Sequence, residues 1–125
     1  KRTPIFTIIE PVILPIEKAF PKRKLIIIGP CSIHNYDSAI EYAKFLKTQR
    51  DKYNDSIEIV MRTYFSKPRT SIGWKGFVYD PYLNNTNSIE SGLTLARQLL
   101  INILEIGVPC SMEHYPATQK SRICA

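Results

Sequence analysis

Four kinds of residue in this chain have the type and spacing to do chemistry. The first is Cys31-Ser32-Ile33-His34, which directly follows the aliphatic run Leu25 to Ile28 and the pair Gly29-Pro30. The second is Arg62, at the end of Ile57 to Met61, and the third is Glu113, just past Val108 to Met112. The fourth is a basic window: from Ile59 to Tyr79 there is no Asp or Glu, while Arg62, Lys67, Arg69 and Lys75 all fall inside it. Guanidinium and ammonium groups without competing carboxylates suit a phosphate or a carboxylate. A soft thiolate beside them suits a metal together with an anionic substrate. Cys31 is thus a candidate ligand or nucleophile, and the competing reading is a small buried hydrophobe at a strand end.

Other residues have plainer readings beside their functional ones. Cys31 and His34 have Cys-x-x-His spacing, but no second half-site follows, so His34 reads as a capping or packing residue. Trp74 in Gly73-Trp74-Lys75-Gly76 either stacks a ligand or folds its loop back onto the domain. Lys22-Arg23-Lys24 reads as a solvated turn, and Cys110 and Cys124 as structural residues.

These groups need elements to bring them together. Leu25 to Ile28 reads as a short strand buried on both faces, stopped by Gly29-Pro30. A helix follows, with Asn35, Asp37 and Ser38 available for capping. Its apolar face carries Tyr36, Ala39, Ala43 and Leu46, and Glu41, Lys44, Asp51 and Lys52 lie opposite. Asn54-Asp55-Ser56 ends it, and Ile57 to Met61 is a second strand. Phe65 to Asn87, rich in Pro, Gly and Asn, is a long irregular loop of the kind that carries function. A second helix runs from a Ser88 cap, with Glu90 in its first turn, to a stop at Gly107. Its expected face is Ile89, Leu93, Ala96, Leu100 and Ile103, and Val108 to Met112 is a third strand.

Strand, helix, strand, helix, strand requires a parallel α/β sheet with right-handed crossovers. Parallel strands end at one edge, which gathers Cys31, Ser32, His34, Arg62 and Glu113. Sites in α/β folds are built at that edge.

Bulk properties are consistent with one domain of this kind. The chain has 125 residues, 44% hydrophobic and 22% charged, and 17 basic against 11 acidic residues give a net charge of +6. That excess favours anionic partners without choosing among them. Three widely spaced cysteines argue against a disulfide framework and for a reducing, cytoplasmic setting. No apolar run is long enough for a membrane span. Residues 1–21, with four prolines, read as an extended lead-in rather than a domain.

The blocks "IGPCSIH", "EIVMRTYFSKPRTSIGWKG" and Asp80-Pro81 followed by "GLTLAR" resemble the first third of the type I 3-deoxy-D-arabino-heptulosonate 7-phosphate (DAHP) synthases. They occur in the right order over Leu25 to Arg97, with a weaker likeness through Gly107 to Glu113. The resemblance implies a (β/α)8 TIM barrel, of which 22–113 would form about three βα units and 114–125 a divergent tail. It implies condensation of phosphoenolpyruvate with erythrose 4-phosphate at the entry of the shikimate pathway. A divalent metal of the Mn, Fe, Zn or Co type is implied as cofactor, with Cys31 as its thiolate ligand. Further ligands, a histidine, a glutamate and an aspartate, would lie on later strands.

By the same resemblance, Arg62 and Lys67 are the catalytic pair that holds phosphoenolpyruvate. Lys67-Pro68-Arg69-Thr70 faces erythrose 4-phosphate, and Glu113 lies near the pocket. Partners are then these small molecules, with neither nucleic acid nor membrane, in a homo-oligomeric parent family. Such a short chain is expected to be a truncated or partial product without activity of its own. The alternative is an inactive remnant or small anion-binding module.

Overall fold

The computed structural model describes residues 23–67 and 72–112. The order is β1 (Lys24–Ile28), α1 (Tyr36–Lys52), β2 (Ile57–Arg62), α2 (Ile89–Ile106) and β3 (Cys110–Ser111). The strands form one parallel sheet in the order β1-β2-β3. Lys24 pairs with Ile57 at one end of the β1-β2 ladder and Ile28 with Met61 at the other. The third strand is shorter than Val108 to Met112, with Met61 opposite Cys110 and Arg62 opposite Ser111. The ladder runs one step beyond the strands, where Thr63 N–H donates to the Ser111 carbonyl at 2.8 Å.

Helix α1 starts where its sequence directs. The Asn35 side chain accepts from Ser38 N–H at 2.9 Å, which supplies one of the four backbone donors a helix start leaves open. Ala39, Ala43 and Leu46 are buried, Tyr36 is half-buried, and the four charged residues expected opposite are exposed. Helix α2 differs from expectation in two respects. Ser88 occupies the N-cap position but makes no side-chain cap; its hydroxyl bonds to the Ser91 hydroxyl instead. The fully buried stripe is Gly92, Ala96, Leu99 and Ile103, and the expected Ile89, Leu93 and Leu100 are half-buried against the same core, so Leu99 joins the expected face. Gly107 ends the helix in the left-handed conformation, as predicted.

Ile59 and Met61 of β2 meet Ala39, Ala43 and Leu46 of α1 and Ala96, Leu99 and Ile103 of α2 in one buried cluster, closed by Phe65, Phe77 and Val108. Short alanines let the helices come close, and Asn102 donates to the Tyr36 hydroxyl between them at 2.5 Å. Strand alternation sends Glu58, Val60 and Arg62 to the face away from this cluster.

β1 departs from its prediction: Ile26, Ile27 and Ile28 are 39%, 54% and 43% exposed. Ile26 and Ile28 register with Ile59 and Met61 but lie at the sheet edge, past the helices, while Ile27 faces the side that no described element covers. Burial of an apolar strand is decided by its neighbours.

At the start of β2, Glu58 is buried and held by two arginines, with Arg23 Nη1 2.8 Å from Oε2 and Arg50 on Oε1. Arg23 is therefore an ion-pair partner, which corrects the solvated-turn reading. Among the described residues no helix is long and apolar enough to cross a membrane.

Candidate functional site

The parallel sheet delivers the ends of β1 and β2 to one edge. Past β1 the chain turns through Gly29-Pro30-Cys31-Ser32, and Ile33 N–H then donates to the Tyr64 carbonyl at 2.7 Å. This fixes 31–33 alongside 62–64. Arg62 Nη2 donates to the Cys31 carbonyl at 3.3 Å, and Lys67 Nζ lies 3.9 Å from Cys31 Sγ. A thiol, a guanidinium and an ammonium thus share one patch.

Lys67 is placed by the loop that follows it. Its N–H donates to the Lys75 carbonyl at 2.9 Å, and Val78 N–H donates to the Phe65 carbonyl at 3.2 Å, so 65–67 and 75–78 lie side by side. Gly76 makes this approach possible: its φ is +117°, and a Cβ there would lie 2.5 Å from the Phe65 carbonyl oxygen and the Ser66 Cα. Trp74 Nε1 donates to the Asp80 carbonyl at 2.7 Å. The buried Asp80 carboxylate accepts from Asn84 and Asn85 N–H at 3.2 and 3.0 Å. The described part of the irregular stretch after the break, 72–87, is a pinned support for Lys67, and Trp74 folds it back onto the core.

Arg62 is held on several sides. The Tyr64 ring centroid is 4.0 Å from its Cζ, Nη2 is engaged by Cys31, and Nε is buried with no hydrogen-bond partner among the described residues. Ser32 Oγ is likewise buried and unpartnered among them. Neither Arg62 nor Lys67 forms an ion pair with a described carboxylate. Two cations with donors to spare can receive an anion.

Cys31 is exposed, which excludes its reading as a buried hydrophobe. His34 is exposed and the α1 cap is Asn35, so His34 does not cap; it borders the apolar recess beside Pro30 and Ile33. Cys110 is half-buried, as a structural cysteine would be, and burial pushes its thiol up to about 11 despite an opposing hydrogen bond from Thr63. Pro68, Arg69, Thr70, Glu113 and Cys124 lie outside the described residues, as do the lead-in 1–21 and the tail 114–125. Sequence reasoning missed the Tyr64 stack. The only signal for it was the i, i+2 spacing that puts Arg62 and Tyr64 on one face of an extended segment.

As a metal centre the described residues are insufficient. No three His, Cys, Asp or Glu side chains come together among them. Cys31 offers one thiol donor, with a lysine ammonium beside it. An apolar recess of about 320 Å³, lined by Pro30, Ile33, Ala39 and Tyr42 among others, opens near this edge, but Cys31, Arg62 and Lys67 do not line it. The thiol, guanidinium and ammonium groups of this edge lie outside the recess.

The chain is similar to known proteins along most of its length. The sequence model of the DAHP synthetase I family matches residues 16–119. Phospho-2-dehydro-3-deoxyheptonate aldolase of Haemophilus influenzae is 56% identical over 91 residues, which are 73% of this chain and 25% of that protein. The Trp-sensitive enzyme of Escherichia coli K12 is 54% identical over 92 residues, 74% of this chain and 26% of its own length. The solved structure of the Francisella tularensis SCHU S4 aldolase superimposes with a TM-score of 0.72 at 51% identity, over 75% of this chain and 28% of that one. The chain therefore spans about a quarter of the curated relatives it matches. Because its sequence model matches residues 16–119, most of the chain, this protein belongs to the DAHP synthetase I family.

Proposed function

We propose that this chain carries the Cys31–Arg62–Lys67 edge of a DAHP synthase site, which condenses phosphoenolpyruvate with erythrose 4-phosphate. The observation that carries the reading is the convergence of Arg62 and Lys67 on Cys31, with neither cation paired to a described carboxylate. Phosphoenolpyruvate presents a carboxylate and a phosphate. A planar guanidinium matches either in bidentate fashion, and a lysine ammonium adds a point charge. In this reading Arg62 orients the substrate and Lys67 neutralises its charge, while the Trp74–Asp80 clasp keeps Lys67 in place.

Pro68, Arg69 and Thr70 follow Lys67 directly and are proposed to face erythrose 4-phosphate, with Glu113 beyond β3 near the same pocket. Cys31 is proposed as one donor toward a divalent metal, whose other donors would come from outside the described residues. The sheet is proposed to be a sector of a (β/α)8 barrel; such a barrel has eight strands and typically about 250 residues. The exposed faces of β1 are what a sector of this kind would leave uncovered.

The test uses a full-length relative carrying these blocks. Replacing the equivalent of Cys31 with Ala should end metal-dependent DAHP formation with the fold retained. Replacing the equivalent of Arg62 with Ala should leave metal content unchanged and raise the phosphoenolpyruvate requirement about ten- to a hundredfold, the loss of one charge-assisted hydrogen bond. A Cys variant that kept both metal and activity would defeat the assignment. That no three His, Cys, Asp or Glu side chains cluster among the described residues favours a second reading, an anion-binding module without catalysis. The 125-residue chain would then bind phosphoenolpyruvate and inorganic phosphate alike and form no DAHP.

A further inference from the structure

We propose that Tyr64 is a positioning residue for the anion-binding guanidinium of Arg62; the inference rests on the reading that Arg62 receives phosphoenolpyruvate. An arginine side chain has four rotatable bonds, and its usefulness as a fork depends on how many of them are fixed before the anion arrives. The backbone of Arg62 is fixed in β2, opposite Ser111. At the far end of the side chain, one hydrogen bond of 3.3 Å holds Nη2 to the Cys31 carbonyl. A single bond at one corner leaves the plane free to swing about it. The Tyr64 ring, 4.0 Å from Cζ, removes that freedom by covering one face of the guanidinium. An Arg over an aromatic face is attracted by the ring quadrupole while its edge remains available for hydrogen bonding. The plane is thereby set, with Nε buried and unpartnered among the described residues and the opposite face of the guanidinium not covered by this ring.

Among the described residues the ring makes no other hydrogen bond or ring contact, and the backbone of Tyr64 is held independently. Its carbonyl accepts from Ile33 N–H at 2.7 Å, a bond that survives any side-chain replacement. Removing the ring therefore frees the guanidinium without detaching 62–64 from 31–33.

The experiment uses a full-length relative with the same Arg-x-Tyr pair, assayed by steady-state kinetics for both substrates, by metal analysis and by thermal midpoint. Replacing the equivalent of Tyr64 by Tyr64→Leu or Tyr64→Gln, neither of which has a ring face, should raise KM for phosphoenolpyruvate about three- to thirtyfold, the range of one cation–π contact. The KM for erythrose 4-phosphate and the metal content should stay near their starting values. Tyr64→Phe, which keeps the face and loses the hydroxyl, should recover most of the lost affinity. Arg62→Ala serves as the reference. If Arg62→Ala weakens phosphoenolpyruvate and the two ringless variants do not, the positioning role is wrong and the site reading stands. If Arg62→Ala has no effect on phosphoenolpyruvate, the site reading itself falls, and this inference with it. A ringless variant that lowers the thermal midpoint and weakens both substrates equally, unrescued by Phe, would mark Tyr64 as merely structural and overturn the proposal.

Discussion

Replacing Gly92 by Ala should destabilise this protein, although helix propensity alone predicts the opposite. Gly92 lies inside α2, where Gly→Ala ordinarily gains about 1 kcal/mol. A Cβ at this position would lie 2.0 Å from the Val78 carbonyl oxygen, 2.6 Å from the Val78 carbonyl carbon and 2.9 Å from the Phe77 carbonyl oxygen. Carbon–oxygen contacts of this kind settle at about 3.3 Å or more, so α2 and the 77–78 turn would have to separate by roughly 1.3 Å. All three obstructing atoms are backbone, and no rotamer change relieves them. Overpacking of a closed core costs about 1–3 kcal/mol and more when backbone must move. Here Phe77, Val78 and Ala96 are all buried at the seam. Gross cost is taken as about 2–4 kcal/mol, which leaves about 1–3 kcal/mol net after the propensity gain. Urea unfolding followed by fluorescence of Trp74, the single tryptophan, reads the region directly. With a slope of about 1–3 kcal/mol/M the midpoint should fall by roughly 1 M. A midpoint that stayed put or rose in Gly92→Ala would refute the close-approach argument.

Two further outcomes are expected. Glu58→Gln should lose about 1–3 kcal/mol in the same urea assay, because two arginines lose their buried counter-charge; each is partly exposed, which keeps the figure below that of a fully buried pair. Cys31 should react with iodoacetamide at pH 8.5 well before Cys110, whose alkylation, followed by peptide mapping, should stay slow until pH approaches about 11. Because the folded thiol of Cys110 titrates above its ordinary 9.0, its contribution to stability is complete below about pH 9 and is lost as pH rises through 11. Equal alkylation rates for the two cysteines at pH 8.5 would contradict the burial.

Much of the fold could be read from local chemistry. Asn35, Gly107 and the spacing of Ala39, Ala43 and Leu46 are signals whose physics is contained within one helix, and they hold in the structure. The tip pair Cys31 and Arg62 follows from strand direction alone. The misreadings share a cause. Whether Ile26 to Ile28 are covered, and which of the adjacent Leu99 and Leu100 is the more deeply buried, depends on neighbours that no local pattern encodes. The same holds for Glu58, whose burial is tolerable only because Arg23 and Arg50 reach it from segments 35 and eight residues away in sequence, and for the ring of Tyr64 over Arg62. Lys67 stood out in the acid-free basic window, and the resemblance supplied its role. The loop that holds it, closed at Gly76 and by Trp74 on Asp80, became visible only in three dimensions.

The two ends of β2 have different consequences for redesign. Glu58 and Arg62 are four residues apart on one strand, roughly 13 Å at about 3.3 Å per residue. Substitutions separated by more than about 7–10 Å, with no shared partner, add nearly independently. The arginine clamp at the lower end and the Cys31–Arg62 contact at the tip have no residue in common. Stability can therefore be raised around Glu58 without altering the donors at Arg62. A tip altered to accept a different anion can likewise be rescued from below, each change tuned without reference to the other.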